Sequence, residues 1–116
     1  MRTFIDLEKN PPRSGREMLG GFAWLARMSD KARGKHAGMS GGYVSLCPMD
    51  EGFLKRCGVV AGDFQELIAS ENDDEQIASY FERHVGPAQR EAANAWVLVE
   101  KGPHVDELDI EEGRTH

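Results

Sequence analysis

The chain has 116 residues, a hydrophobic fraction of 40%, a charged fraction of 29% and a net charge of −6. That length suits one ordinary domain with a single core, the composition excludes a disordered polymer, and no apolar stretch nears the roughly 20 residues that cross a bilayer. The charge is divided, because residues 1–36 hold 8 Lys and Arg against 4 Asp and Glu while the remainder holds 6 against 16. Halves of +4 and −10 either dock on each other through complementary fields or present a basic face to a ligand. The first six residues, Met1 to Asp6, lack the apolar core of a secretory signal. A cytoplasmic location is therefore expected, with Cys47 and Cys57 as free thiols.

In chain order, Pro11 and Pro12 bar a helix, so residues 1–13 read as an extended N-terminal arm. Ser14 and Glu17 have the spacing of a capping box. Met18, Leu19, Phe22, Leu25, Ala26, Ser29 and Ala32 then recur three and four apart, which predicts a helix over 14–34 with that stripe buried. Gly20 and Gly21 inside it would cost about 1 kcal/mol each relative to alanine, a cost that close helix packing or a ligand approaching the backbone would explain. Residues 34–42, with four glycines, read as a flexible loop, and 43–46 as a short strand. Asp50 reads as the N-cap of a helix running through Cys57, with Met49 and Leu54 as a hydrophobic staple and Gly58 as the stop.

Three more helices are expected: one over 61–70 burying Phe64, Leu67 and Ile68, one capped by Asn72 and Asp73 burying Ile77, Ala78, Phe81 and Val85, and one from Pro87 burying Ala92, Ala95, Trp96 and Val99. Trp96-Val97-Leu98-Val99 is also β-prone and offers an alternative pairing with 43–46. After Gly102-Pro103, residues 104–116 read as an acidic, mobile tail. The expected fold is mainly α: a compact bundle of about five short helices, a single helical domain over 1–103, with one short two-stranded β element as the alternative.

Trp24, Arg27 and Lys31 share a second helical stripe, with Asp30 three residues after Arg27. Two cations four apart suit a phosphate or carboxylate, with Trp24 as a stacking wall. The competing reading is a solvated face with an Arg27–Asp30 pair. Trp24, Arg27, Asp30 and Lys31, joined by Arg13 and Tyr43, are the binding candidates. Cys47, just before a helix start, is the candidate nucleophile, and Asp50 the candidate acid or base. Against them stand a small buried hydrophobe and a plain helix cap. His36, Cys47 and Cys57 make neither C-x-x-C nor H-x-x-x-H, so no metal is expected. Gly34-Lys35-His36 lacks the glycine and hydroxyl of a phosphate loop and no G-x-G-x-x-G follows a strand, so no cofactor is expected either. A pI near 5.2 opposes nucleic-acid binding unless the first-helix stripe acts alone.

The succession Asp6-Leu7, Pro12-Arg13-Ser14, Leu19-Gly20-Gly21, Leu25-Ala26-Arg27-Met28, Asp30-Lys31-Ala32-Arg33, Gly42-Tyr43 and Cys47-Pro48-Met49-Asp50 resembles the domain of unknown function 5069 family of small bacterial proteins. The family tends to carry Leu where this chain has Met49, and an Asn close to a Trp near the end, which Asn94-Ala95-Trp96 approximates. The resemblance implies no activity, because the family has none established. The residues themselves point to a noncatalytic binding module built from the first helix, the glycine loop and the 47–50 turn. Its partner would be an anionic small molecule, a protein or a second copy of the chain, with no membrane involved. The rival readings are a small enzyme using Cys47 with Asp30, Tyr43 or Asp50, and a nucleic-acid accessory protein.

Overall fold

A computed structural model describes residues 6–114. The start of the N-terminal arm before Asp6 and the last two residues of the tail lie outside the described residues. Among the described residues there are six helices: α1 Leu25–His36, α2 Pro48–Cys57, α3 Ala61–Ala69, α4 Asp74–His84, α5 Pro87–Ala95 and α6 Gly102–Glu111, with a π-turn, Trp96–Glu100, running on from α5. The boundaries have local causes. Pro48, Pro87 and Pro103 stand in first turns, where a missing N–H loses no helical bond. Gly58 closes α2 in a left-handed conformation, its N–H returning to the Leu54 and Lys55 carbonyls. Asp73 accepts from the Gln76 N–H at 2.9 Å, and Gln76 Oε1 accepts from the Asp73 N–H at 2.8 Å.

The first helix begins at Leu25, not near Ser14. Gly20, Gly21 and Trp24 take positive φ of 60°, 83° and 72°, and three left-handed residues in five end any right-handed helix. Leu19 and Phe22 instead exchange two backbone hydrogen bonds of 3.0 Å. Ser14 turns its hydroxyl to Asp109 at 2.9 Å, so no capping box forms with Glu17. Met18, expected on the buried stripe, is 49% exposed. The answer to Gly20 is close packing: a side chain there would bring its Cβ to 2.7 Å from that of Ala78 on α4.

No strand forms among the described residues, so the short β element is not present; 43–44 is irregular, 45–46 a turn and 96–100 the π-turn. Asp50 is the third residue of α2, and Cys47 is its N-cap. On α5 and the π-turn that follows it Ala93, Trp96 and Val97 are buried, whereas Ala92, Ala95 and Val99 are exposed. Three near-consecutive alanines give a hydrophobic pattern no phase, so the expected stripe holds at Trp96 but not at Ala92, Ala95 and Val99. The segment expected as a mobile acidic tail contains α6, which buries Val105 and Asp109.

α1 is the central element, with every residue from Leu25 to Gly34 buried. Around it Phe22, Phe53, Phe64 and Phe81 form the aromatic core, with ring centroids 5.6 Å apart for Phe22 and Phe81 and 6.3 Å for Phe64 and Phe81, the spacing at which edge-to-face rings attract. Asn94 on α5 pins the turn before α1, accepting from the Ala23 N–H and donating to the Gly21 carbonyl, both at 2.9 Å. Among the described residues no helix is long and apolar enough to cross a membrane.

Candidate functional site

A helix buried on every side and carrying Arg27, Asp30, Lys31 and Arg33 must find a partner for each charge, because an unpaired buried ion costs several kcal/mol. The stripe read as a solvated face is therefore enclosed, and the Arg27–Asp30 pair does not form. Arg27 makes a two-point contact with Glu112, beyond the end of α6, at 2.9 and 2.7 Å. Lys31 Nζ lies 3.0 Å from Asp50 Oδ2 and 3.1 Å from Cys47 Sγ.

Asp30 pairs with Arg13, whose backbone N–H and Nε both donate to it at 3.0 Å. Arg13 and Arg33 each reach Asp74 on α4, at 2.9 and 2.8 Å. Burial alone would lift the Asp74 carboxyl, but these two guanidinium groups outweigh it and hold it below its ordinary range.

Asp50 is the organising group. Fully buried, it accepts from Trp24 Nε1 at 2.8 Å, from the Leu46 N–H at 2.9 Å and from the Cys47 N–H at 3.2 Å, besides Lys31. Trp24 and Leu46 are two of the three non-glycine residues with positive φ among those described. A bulky residue in that region costs on the order of 1–3 kcal/mol, and such strain clusters at functional sites.

These groups border one cavity of about 330 Å³, lined by Trp24, Arg27, Lys31, Tyr43, Cys47 and Met49 from one side and by His104, Leu108, Glu111 and Glu112 from α6 and its end. The Arg27 guanidinium lies 5.5 Å from the Trp24 ring centroid and 5.8 Å from that of Tyr43, within range of a cation–π contact. Burial, then the Glu112 carboxylate, push the Tyr43 phenol upward. Glu112 is lifted by burial but held below its ordinary range by Arg27, Arg114 and Tyr43 together. Arg27 Nε has no hydrogen-bond partner among the described residues.

Of the residues singled out in the sequence, the fold brings Trp24, Arg27, Lys31, Tyr43 and Cys47 to this cavity, with Asp50 beneath it. Arg13 and Asp30 lie instead in the network with Arg33 and Asp74. A family model described as Domain of unknown function (DUF5069) matches residues 9–107.

The chain belongs to this family.

No curated protein matches the chain. Within this DUF5069 domain Arg27 falls inside the matched stretch and its partner Glu112 outside it. His104 and Glu112 were missed in the sequence because the Gly102-Pro103 pair was read only as a stop. The same pair at Gly86-Pro87 both ends one helix and starts the next, and Val105 and Leu108, three apart, were the signal that α6 follows. Among the described residues no group of three His, Cys, Asp or Glu side chains could hold a metal ion.

Proposed function

We propose that this domain is a cytoplasmic, noncatalytic binding module that holds a small carboxylate or phosphate in the cavity between α1, the 43–47 turn and α6. The observation that carries the reading is that Arg27 and Lys31, two buried cations four residues apart, both line that cavity with Trp24 and Tyr43. A buried ion pair seldom stabilises more than apolar residues of the same volume. Two such pairs and two left-handed residues around one cavity sacrifice stability, the pattern expected where a site is organised for a ligand. The grip of Arg27 on Glu112 displays the two-point geometry in which a guanidinium takes a carboxylate. A ligand competes with Glu112 for Arg27 or adds to Lys31 and the Tyr43 hydroxyl, with Trp24 as the wall.

The test is a titration with acetate, benzoate, sulfate and inorganic phosphate, read through the indole N–H signal of Trp24 in a proton–nitrogen correlation spectrum and through Tm. At least one anion should shift the signal saturably and raise Tm. Arg27→Lys, which keeps the charge and loses the two-point grip, should weaken it. If every anion leaves both readouts unmoved, the reading is wrong.

A second reading is favoured by the placement of Cys47 Sγ, at the N-cap of α2 and 3.1 Å from the Lys31 ammonium. A cation and a helix N-terminus both favour a nucleophilic sulfur, so a thiol enzyme using Cys47 with Tyr43 or Asp50 is the rival. Rapid alkylation of Cys47 in the folded protein at mildly acidic pH supports it. A thiol that reacts only in denaturant removes it.

A further inference from the structure

A second cavity of about 270 Å³ is lined by Pro48, Met49, Trp96, Lys101 and His104. Met49 and His104 line the first cavity as well, so the two share a wall made of one thioether and one imidazole. Methionine suits such a wall, since an unbranched side chain with a polarisable sulfur adapts to what lies against it. The chemistry on the two sides differs. The first cavity has Arg27, Lys31, Glu111, Glu112 and the Tyr43 hydroxyl. The second has an indole, a proline ring and a thioether, with Lys101 and His104 as its polar groups and no carboxylate. A volume of about 270 Å³ exceeds the roughly 150 Å³ cavity that houses a benzene ring.

The backbone supplies an independent pointer. The π-turn starts at Trp96, and its closing bond runs from the Lys101 N–H to the Trp96 carbonyl at 2.8 Å. This brings the Lys101 ammonium to 5.8 Å from the Trp96 ring centroid. Arg56 covers that ring at 4.0 Å, fixing the indole as a wall of the cavity. π-Turns are rare, weaken the helix that contains them and recur at functional sites. Here the irregularity falls on the residues that line the second cavity, Trp96 and Lys101.

We propose that the ligand is elongated: an anionic head enters the first cavity, and an aromatic or aliphatic tail crosses Met49 and His104 to lie in the second cavity beside Trp96. This assignment rests on the binding-module reading and names the substrate class that reading leaves open, an aryl- or alkyl-carboxylate or the matching phosphate monoester. The tail is neutral. A cationic tail would meet Lys101 with no carboxylate to pair it, and a second anionic group would forgo contact with the apolar wall.

The chain has two tryptophans, one for each cavity, so the intact protein gives two indole N–H signals, assigned with Trp96→Phe. The probes are acetate, phenylacetate, phenylbutyrate and the neutral phenylbutanol. Acetate should move Trp24 alone. Phenylbutyrate should move both signals and bind at least tenfold more tightly than acetate, and phenylbutanol should bind at least tenfold more weakly than phenylbutyrate. If phenylbutyrate saturates Trp24 while Trp96 stays still, the tail assignment is overturned and the anion site stands. If phenylbutanol binds as tightly as phenylbutyrate, the head assignment is overturned. If neither these carboxylates nor inorganic phosphate moves either indole, the binding-module reading itself fails.

Discussion

Replacing Asp50 with alanine removes a fully buried carboxylate that Lys31, the Trp24 indole and the Leu46 and Cys47 N–H groups all depend on. Breaking a buried pair by deleting one partner costs about 3–5 kcal/mol, because the surviving ion stays desolvated. Each orphaned N–H adds on the order of 1–3 kcal/mol, though groups sharing one acceptor do not sum. The expected loss is about 4 kcal/mol, a large share of the roughly 5–15 kcal/mol that holds a domain of this size together. At about 4 °C of Tm per kcal/mol, Asp50→Ala should melt about 16 °C below the parent chain. Urea unfolding followed by tryptophan emission and by circular dichroism measures it, since Trp24 reports the site and the helices report the fold. A cycle with Lys31→Met isolates the pair: the double variant should be less destabilised than the two single losses added together. An Asp50→Ala loss below about 1 kcal/mol, with an unchanged urea slope, would mean that the Lys31 charge is solvated and that the network is not what holds the site.

Glu112 and Asp74 are both held below their ordinary carboxylate values in the folded chain. Their contribution is therefore complete above the ordinary range near 4 and lost as pH falls through the lower folded values; Tm should drop with acid, Glu112→Gln should flatten that drop, and a Tm that holds or rises on acidification refutes it. Burial pushes the Cys57 thiol up to about 12, so a thiol-specific reagent at mildly alkaline pH should modify at most Cys47 until guanidinium is added; early modification of both would mean that the core around Cys57 is open. A side chain at Gly52 would collide with the Trp96 indole, so Gly52→Ala should lose about 1–3 kcal/mol by overpacking. Calorimetry checks it, an unchanged Tm meaning that Trp96 is free to shift.

The legible parts of the fold were those where one residue type fixes one backbone outcome. Asp73, Pro87 and Gly58 set helix ends through caps and ring geometry, and α3 and α4 follow their apolar spacing. What failed did so for identifiable reasons. The pattern from Met18 to Phe22 has helical spacing, but Gly20 and Gly21 take left-handed conformations and Trp24 joins them, held by an indole bond to an aspartate 26 positions away. No local rule reads a bond of that span. The same holds for the candidate site. Trp24, Arg27, Lys31, Tyr43 and Cys47 could be named one by one, but the cavity they share is closed on its other side by Glu112 and α6, which low hydrophobicity disguised as a tail.

The opposite charges of the two halves now have a structural account, and it leads to a test that separates a small-anion site from a nucleic-acid surface. Arg13 and Arg33 pair with Asp74, Arg16 with Asp106, Arg27 with Glu112 and Lys31 with Asp50, so the basic half uses its cations against the acidic half. Arg27, Lys31 and Arg33 are buried in doing so, and the first-helix stripe offers no open basic face to a phosphate backbone. Exposed Glu51, Asp63, Glu66, Glu75, Glu82, Glu91 and Glu107 then leave an outer surface that repels anions at long range, around a cavity whose inner wall carries Arg27 and Lys31. Salt screens the first effect over a Debye length of about 10 Å at 0.1 M and reaches the buried wall far less. Raising ionic strength should therefore leave phenylbutyrate affinity unchanged or improve it. A nucleic-acid binder behaves oppositely, because each released counterion makes affinity fall steeply with salt. Tight binding to single-stranded or duplex DNA at low salt that collapses at moderate salt would reverse the assignment.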